Sequence, residues 1–454
     1  MRVMPAELVF PELPQRVREV IRALGDAGHE VAIVGGAVRD RLLGLPHRGE
    51  WDAATAARPE EVVSLFPGAT WENRFGTVTI GSEPVVEVTS YRAEGTYRDR
   101  RRPDEVRFGV SLTEDLARRD FTINAMAWLP LDLEAGRGTL VDPVGGQSDL
   151  DARVLRAVGE PRERFAEDAL RLIRAARFAG RLELTIEPAT EQAIREAAPT
   201  VEAVSAERVR DELMRILALD ATPSGAVGIL ERLGLLVVIL PELAALRGVP
   251  QSKAVPGDAL DHSLAAVDAA AATEPPALRL AALLHDLGKA TTLREGHFIG
   301  HENVSAELAA DVLQRLRVPR ALTDRVVGAI RHHMYDYESA WTDAAVRRLV
   351  RRLDGVDRDL LFALRRADNV ASGVGSAGDA NQAELEARIA EQVEAEPALL
   401  VDRRLAIDGN DLQHELGMPQ GPEIGAVLDR LTEIVLDDPA QNRRDILIDL
   451  ARRR

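Results

Sequence analysis

Cysteine is absent from the 454-residue chain, and this absence excludes disulfide frameworks, zinc–thiolate sites and thiol nucleophiles. Any bound metal must therefore use histidine, aspartate or glutamate side chains. Long apolar runs are also absent, since none approaches the roughly 20 residues needed to cross a bilayer. The N-terminal stretch has no apolar core of signal-peptide length. We therefore expect a cytoplasmic protein with no membrane partner and, from its length, two or three domains.

Lysine is scarce, since Lys253 and Lys289 are the only two, and the net charge is −17. Phosphate binding needs only a local basic surface, so the whole-chain charge does not exclude a nucleic-acid partner. Between residues 153 and 182 the chain has eight arginines and four acids, which gives a local charge of +4. Arginine presents a planar fork of donors that suits phosphates and base edges. This segment is the predicted basic surface.

Hydrophobic patterning predicts an α/β head followed by an all-α body. A helix is predicted over 14–28, a buried strand over Val31–Val34 and a helix from Ala37. Further strands are predicted at 77–80, 85–89 and 105–108, and helices over 150–245, 258–370 and the tail. The glycine, serine and asparagine content of residues 372–382 is typical of a linker or mobile loop, and residues 417–425 are predicted to form a turn.

Two features of the head indicate phosphate and metal chemistry. Gly35 and Gly36 lie between the first strand and the helix after it, where the backbone can close on a phosphate and the helix N-terminus supplies N–H donors. Glu50 and Asp52 are two residues apart, so on a strand both carboxylates face the same side. Such a pair suits Mg²⁺, which takes one or two carboxylates and leaves positions for substrate phosphates. Glu87, on a later strand, is a candidate third acid.

Five motifs occur in order between residues 30 and 220: GGAVRDRLLG, EWDAAT, LARRDFTINAMA, DPVGGQSDL and EDALRLIRAARFAGRL. In order and spacing they resemble the class II tRNA nucleotidyltransferases and the related bacterial poly(A) polymerases. The resemblance implies an α+β fold, with a polymerase β-like nucleotidyltransferase head that has a small mixed sheet, followed by all-α neck, body and HD domains. It implies a head over 1–145, a neck and body with nucleotide template and RNA binding over 146–250, an HD domain over 251–375 and a helical tail over 376–454.

The resemblance also implies roles for individual head residues. It assigns nucleotide binding to four of them: Gly36 and Arg39 at the triphosphate, and Arg119 and Asp120 near the ribose. Glu50 and Asp52 would bind two Mg²⁺ ions, with Glu87 as the third catalytic acid. One ion would lower the pKa of the primer 3′-hydroxyl, and the other would stabilise the departing pyrophosphate. The family usually has aspartate at the first carboxylate, so Glu50 is a departure, and its longer side chain must fold back to reach the same metal.

In the predicted neck, Asp168, Arg171, Arg174 and Arg177 fall about one helical turn apart along one face. Asp168 accepts hydrogen bonds and Arg171 donates them in a fork. The resemblance implies that this pair reads the Watson–Crick edge of cytosine or adenine, and that Arg174 and Arg177 also reach the incoming nucleotide. The protein itself would then act as the template.

The expected substrates are tRNA, CTP and ATP, and addition of CCA is the leading hypothesis. Residues 90–106 resemble the flexible loop of CCA-adding enzymes, which CC-adding relatives lack. An A-adding tRNA nucleotidyltransferase and a poly(A) polymerase are the alternatives within the family.

A second set of motifs resembles the HD phosphohydrolase superfamily. It comprises Asp261-His262, HDLGK at 285–289, Gly300-His301, Arg331-His332-His333 and Asp368. The ligand candidates for a divalent transition metal or Mg²⁺ are His262, His285, Asp286 and Asp368, and those for a second metal are His301, His332 and His333. The implied chemistry is phosphatase or phosphodiesterase action on phosphorylated ends or 2′,3′-cyclic phosphates. Three alternatives stay open: an HD scaffold without activity, an HD phosphohydrolase whose head only binds RNA, and a non-catalytic RNA-binding protein.

Overall fold

A computed structural model describes residues 7–47, 50–71, 76–94, 106–219, 222–251, 256–271, 277–374, 376–402 and 404–453. The chain divides into two compact units, Met1–Ala244 and Ala245–Arg454. Each unit has its own elements and its own candidate site. None of the helices among the described residues has the length and apolar character needed to span a membrane.

The first unit contains all of the larger β structure. Its described strands are β1 (Glu7–Val9), β2 (Val31–Val34), β3 (Trp51–Thr55), β4 (Thr77–Ile80), β5 (Val86–Ser90), β6 (Arg92–Glu94), β7 (Val106–Phe108), β8 (Ala127–Asp132), β9 (Arg137–Val141), β10 (Val154–Leu155) and β11 (Thr185–Ile186). Its described helices are α1 (Gln15–Asp26), α2 (Gly36–Leu42), α3 (Pro59–Leu65), α4 (Leu112–Ala117), α5 (Gly146–Asp151), α6 (Pro161–Glu167), α7 (Leu170–Leu182), α8 (Pro188–Ala197), α9 (Ala206–Leu217), α10 (Pro223–Arg232), α11 (Leu236–Ile239) and α12 (Pro241–Ala244). Residues Thr122–Asn124 and Ala198–Ala203 form 3₁₀ helices.

One mixed sheet organises the head, with the described strands in the order β1-β9-β8-β2-β3-β5-β4. Strands β3 and β5 run parallel, and the other neighbours in this sheet are antiparallel. The predicted α+β class with a small mixed sheet is therefore confirmed. Strand β2 lies at the centre because all four of its residues are apolar and buried, as expected where both faces of a sheet are covered.

Helix α4 covers one face of this sheet. Leu112 and Leu116 pack in one cluster with Ala32, Val34 and Ala54 of the central strands. The helix begins at a capping box, in which the Ser111 side chain accepts from the backbone N–H of Glu114 and the Glu114 side chain bonds back. The chain that follows α4 carries the predicted ribose pair, so this packing fixes where that pair meets the sheet.

Helix α7 is the central helix of the rest of the first unit. It packs against α9 and α10, and most of its residues are buried. Gly180 lies at the contact with α10, where a Cβ atom would stand 2.6 Å from Cβ and 2.7 Å from Cα of Ala226. Glycine at this position therefore lets the two helix backbones approach closely.

Replacing Gly180 with alanine is expected to lower the free energy of unfolding by about 1–3 kcal/mol, because the added methyl group has no room against Ala226. The matched control is Gly228→Ala in α10, where a Cβ would meet nothing within 4 Å. That change is expected to stabilise the protein by about 0.5–1 kcal/mol through helix propensity alone. Urea denaturation followed by circular dichroism checks both values. Equal effects of the two substitutions would contradict the packing argument.

The second unit is mainly helical. Its described helices are α13 (Ala259–Ala269), α14 (Ala277–Leu284), α15 (Lys289–Thr292), α16 (His301–Arg315), α17 (Arg320–His332), α18 (Asp343–Arg352), α19 (Arg358–Ala371), α20 (Ser376–Ala395), α21 (Pro397–Leu400), α22 (Gly409–Leu416), α23 (Pro422–Asp437) and α24 (Arg444–Arg452). Residues Leu293–Arg294 (β12) and His297–Phe298 (β13) form a short hairpin, and Pro439–Gln441 form a 3₁₀ helix.

The predicted linker at 372–382 is wrong for most of its length, because α20 begins at Ser376. Its polar composition suggested a loop, but the buried amide of Gln382 donates to the carbonyl oxygen of Phe362 at 2.7 Å. Leu385 and Ile389 of the same helix are buried. The burial of one face thus outweighs the weak helix propensity of the first turns.

One smaller prediction is confirmed over its described residues, and two others need correction. The strand predicted over 105–108 is described from Val106, and residue 105 lies outside the described residues. The turn predicted over 417–425 is shorter, because Pro422 opens α23, where its missing N–H costs nothing. The regions predicted as wholly helical contain the short strands β10, β11, β12 and β13.

Candidate active site and metal centre

A cavity of about 730 Å³ lies in the first unit, beside the end of β2. Ten of the residues singled out in the head and neck line it: Gly36, Arg39, Glu50, Asp52, Arg119, Asp120, Asp168, Arg171, Arg174 and Arg177. Glu87 is not among its lining residues. Residues that are distant in sequence therefore meet around a single space large enough for a nucleotide.

The turn between β2 and α2 forms one wall of the cavity. Gly35 has a φ of +69°, in the left-handed region that favours glycine. A Cβ at this position would lie 3.3 Å from Nη1 of Arg119 and 3.6 Å from Oδ2 of Asp52. Glycine thus keeps the space between an arginine and a carboxylate open, as a phosphate loop requires.

Arg39 is buried at the base of this wall. Its guanidinium donates to Oδ1 of Asp40 at 2.9 and 2.6 Å and to Oδ1 of Asn124 at 2.7 Å. Burial lowers the pKa of Arg39, and the charge of Asp40 opposes that effect. These two partners therefore fix the plane of the Arg39 guanidinium.

Three carboxylates lie on or beside the parallel strands β3 and β5. Asp52 and Glu87 are directly paired in the register of these strands, and Glu50 immediately precedes β3. Burial raises the pKa of Asp52, although the charges of Arg119 and His47 act against it. Burial, together with the charges of Glu50 and Asp52, raises the pKa of Glu87. This oxygen-only donor set matches the preference of Mg²⁺ for carboxylates.

His47 is a neighbour of this cluster that the sequence analysis missed. Its Nε2 lies 2.9 Å from the carbonyl oxygen of Glu50, and its Nδ1 lies 3.3 Å from Oδ2 of Asp40. Burial acts to lower the pKa of His47, but the hydrogen bonds with Asp40 and Glu50 outweigh it, and the net shift is upward. His47 therefore ties the backbone of the unusual first carboxylate to α2. A single histidine in a loop gives no periodic signal that could have identified this role.

The predicted ribose pair has unequal surroundings. Asp120 accepts from Nε of Arg174 at 2.8 Å and from the backbone N–H of Phe121 at 2.8 Å. Burial acts to raise the pKa of Asp120, but the charge and hydrogen bond of Arg174 lower it to about 2. Arg119 pairs with the buried carboxylate of Asp115 at 3.2 Å. Both residues are thus anchored ion-pair members at the cavity wall.

The predicted base-reading residues lie on and beside α7. Arg171, Arg174 and Arg177 project from the helix at successive turns, whereas Asp168 precedes the helix with extended backbone. Asp168 was predicted to share the helical face with the arginines. It instead lies before the N-cap residue Ala169, accepts from the backbone N–H of Leu170 at 3.1 Å and still lines the same cavity.

Helix α9 supplies partners that were not predicted. Arg208 forms two hydrogen bonds with the Asp168 carboxylate, at 3.1 and 2.6 Å. Glu212 is buried and accepts from Nε of Arg177 at 2.6 Å and from Arg215 at 3.0 Å. Burial lowers the pKa of Arg177 to about 10, with Glu212 acting against it. The spacing of positions 208, 212 and 215 places them on one helical face. This spacing is the sequence signal from which the three partners could have been predicted.

The second unit gathers the predicted HD ligands at one buried point. His262 comes from α13, His285 and Asp286 follow α14, and Asp368 comes from α19. Nε2 of His262 lies 3.0 Å from Oδ1 of Asp368 and 3.4 Å from Oδ2 of Asp286. Nε2 of His285 lies 3.2 Å from the same Asp286 oxygen. All four ligand candidates therefore converge.

A second group shares Asp286. Nε2 of His301 lies 3.4 Å from Oδ1 of Asp286, and Nε2 of His333 lies 4.0 Å from it. These three residues form one compact group of potential metal ligands, and His262, His285 and Asp286 form the other. His332, which was predicted to join the second group, belongs to neither of them. The positive charges of Arg352 and Arg331 contribute, after burial, to lowering its pKa.

The orientation of the imidazoles supports metal binding. Nδ1 of His285, His301 and His333 lies 2.8, 2.8 and 2.7 Å from the carbonyl oxygens of Ala282, Phe298 and Ile330. Nδ1 therefore carries the proton, and each Nε2 lone pair faces the carboxylates. A hydrogen bond from the other ring nitrogen to a carbonyl oxygen is typical of histidines that ligate metals. The donor set fits one or two divalent ions.

The chain is similar to known proteins over almost its whole length. Residues 31–156 match the family model described as Poly A polymerase head domain. Residues 183–246 match the probable RNA and SrmB-binding site of polymerase A, and residues 260–391 match the HD domain.

Named relatives agree with these matches. An A-adding tRNA nucleotidyltransferase of Deinococcus radiodurans is 37% identical over 432 residues, covering 88% of the chain and 90% of that enzyme. A CCA-adding enzyme of Geobacillus thermodenitrificans is 45% identical over 206 residues, which is 45% of the chain and about half (49%) of that enzyme.

A solved structure is similar across both units. The crystal structure of the Bacillus stearothermophilus CCA-adding enzyme in complex with CTP has a TM-score of 0.69 and 28% identity. The similarity covers 97% of this chain and 96% of that one. The chain therefore belongs to the class II tRNA nucleotidyltransferase and poly(A) polymerase family, and it carries the head, RNA-binding and HD regions of that family.

Proposed function

We propose that this protein adds CCA to the 3′ end of tRNA, using CTP and ATP and releasing pyrophosphate, in the cytoplasm. The observation that carries the proposal is the shared cavity: the carboxylates of β3 and the arginine-rich face of α7 line one space. A nucleotide in this space has its triphosphate beside Gly36 and Arg39 and its base beside Asp168 and Arg171. The proposal thus places nucleotide selection and nucleotide transfer in one site.

The carboxylates of Glu50, Asp52 and Glu87 suit Mg²⁺ by their donor chemistry, and the register of β3 and β5 pairs Asp52 with Glu87. Bound Mg²⁺ would favour ionisation of the 3′-hydroxyl and neutralise the charge of the pyrophosphate. The arginines of the chain contribute in two ways. They hold the triphosphate in place, and they offset its negative charge.

Base selection follows from the donors and acceptors of Asp168 and Arg171. Cytosine and adenine both present an exocyclic amino donor beside a ring-nitrogen acceptor. A carboxylate accepting from the first and a guanidinium donating to the second therefore suits either base. Uracil and guanine present a carbonyl oxygen and a ring N–H in the corresponding positions, so they would leave both side chains unpaired. Asp168 pairs with Arg208, and Arg171 pairs with Glu167. Binding of the correct base would replace these two contacts.

The alternative product is addition of A alone. It is favoured by the Deinococcus radiodurans relative, which matches the chain along most of its length. The segment 90–106, which supports full CCA addition by its resemblance to a flexible loop, lies mostly outside the described residues, at 95–105. The flanking strands β6 and β7 pair with each other antiparallel.

One experiment distinguishes the activities of the two units. It measures nucleotide incorporation into tRNA lacking CCA, with labelled CTP and ATP and Mg²⁺. The proposal predicts that Asp52→Ala abolishes incorporation while His285→Ala leaves it unchanged. If Asp52→Ala retained incorporation and His285→Ala removed it, the nucleotidyltransferase assignment would be wrong. The two His/Asp groups of the second unit are proposed to bind divalent metal for phosphatase or phosphodiesterase chemistry. His285→Ala should remove that activity.

A further inference from the structure

Phe178 lies on α7, is 5% exposed and borders the nucleotide cavity. Three guanidinium groups approach its ring: Cζ of Arg177 at 4.3 Å from the centroid, Cζ of Arg174 at 5.2 Å and Cζ of Arg39 at 5.3 Å. All three distances are within the range of a cation–π interaction. One aromatic side chain therefore touches the arginine of the phosphate turn and two arginines of the base-reading helix.

The ring itself is firmly placed. The fully buried ring of Phe121 packs against it edge-on, with 5.9 Å between centroids and an interplanar angle of 75°. Phe121 follows the ribose-pair residue Asp120 directly in sequence. The position of Phe178 is thus fixed from the side of the head as well as by its own helix.

Three like charges around one point repel one another, and each has a carboxylate on another side. Asp40 pairs with Arg39, Asp120 with Arg174, and Glu212 with Arg177. Polar contacts also connect the guanidiniums, since Glu212 lies 3.6 Å from Arg174 as well. Asn124 accepts from Arg39 and donates to Asp120. The ring adds a contact that all three guanidiniums share. The electron-rich ring attracts all three toward one centre, which an aliphatic side chain of similar size does not do.

We propose that Phe178 is a positioning residue that fixes the distance between the triphosphate-binding Arg39 and the base-reading Arg174 and Arg177. The ring thereby couples triphosphate binding to base selection: a base that fits is read only when the triphosphate occupies its place. This inference rests on the proposed nucleotidyltransferase function. It goes beyond that function by giving a structural role in selectivity to a residue that makes no hydrogen bond to substrate.

The test compares Phe178→Leu with wild-type protein in single-nucleotide incorporation with CTP and with UTP. Phe178→Leu is expected to raise KM for CTP about tenfold and to lower the CTP-over-UTP preference about tenfold, because two or more cation–π contacts are lost. Phe178→Tyr keeps the ring and is expected to stay within about twofold of wild type. Phe165→Leu is the matched control, since Phe165 is a buried phenylalanine of the same unit that is not among the residues lining the cavity. It should alter Tm without altering the preference.

A graded measurement keeps the inference testable if Phe178→Leu does not fold. Site-specific replacement of Phe178 by mono-, di- and trifluorophenylalanine weakens the ring quadrupole with almost no change in shape. The CTP-over-UTP preference is expected to fall stepwise with each fluorine. A preference that is unchanged across the fluorinated series would overturn the inference. Absence of incorporation by folded wild-type protein would instead refute the proposed function itself, so the two failures are distinguishable.

Discussion

Asp52→Asn is expected to lower nucleotide incorporation by at least about a thousandfold while the protein stays folded. The substitution keeps the size of the side chain and removes the charge that would hold a divalent ion between β3 and β5. Asp52 is the central member of the carboxylate group, since it is paired in register with Glu87 and is two residues from Glu50. No neighbouring acid can therefore take over its position.

The measurement is the single-turnover rate of CTP incorporation at saturating Mg²⁺, with Tm as the check on folding. Asp132→Asn on β8 is the control, because this carboxylate is partly exposed and pairs with Arg137 away from the cavity. It should retain the wild-type rate. A rate for Asp52→Asn within tenfold of wild type would mean that the carboxylate pair is not the metal site.

Asp286→Asn is expected to abolish divalent-metal binding at both proposed sites of the second unit. The two oxygens of this carboxylate face different histidine groups, Oδ2 toward His262 and His285 and Oδ1 toward His301 and His333. A shared carboxylate that loses its charge weakens both sites at once. Nucleotide incorporation should be unchanged, because Asp286 belongs to the other compact unit.

Metal stoichiometry is measured by titration with Mn²⁺, using Asp52→Asn as the parent protein so that the head carboxylates contribute little. The parent is expected to bind two Mn²⁺ ions and the Asp286→Asn form none with comparable affinity. Asp311→Asn, an exposed position on α16, is the control and should behave as the parent. Retention of two ions by the Asp286→Asn form would refute a shared carboxylate.

Local spacing in the sequence was sufficient to predict which of several candidate residues come together. The glycine pair after a buried strand predicts a tight turn, and the acids at 50 and 52 are two apart, so on a strand they face the same side. The structure brings these residues to one cavity. The spacing of Arg171, Arg174 and Arg177 is informative in the same way, because residues three apart lie on one face of an α-helix. Asp168 could not be placed in this way, since Asp168 and Ala169 separate α6 from α7 and Asp168 has extended backbone.

Other features depend on contacts between distant segments and could not be read from spacing. Arg208 pairs with Asp168 across 40 positions, and Glu212 pairs with Arg177 across 35. His332 and His333 are adjacent and chemically identical, yet about 100° of helical rotation separates their directions, and His333 is the one that faces Asp286. The composition of residues 372–382 misled in the same way, because burial of Gln382 against α19 decided the outcome.

Stepwise extension of tRNA that ends at the position before CCA distinguishes the possible products. With CTP alone, a protein that adds CCA is expected to add two nucleotides and then stop. Subsequent ATP should add one more, and ATP alone should add none. Addition of A only to tRNA already ending in CC would assign the A-adding activity instead. No extension under any of these conditions, by folded protein in the presence of Mg²⁺, would refute nucleotidyl transfer to tRNA.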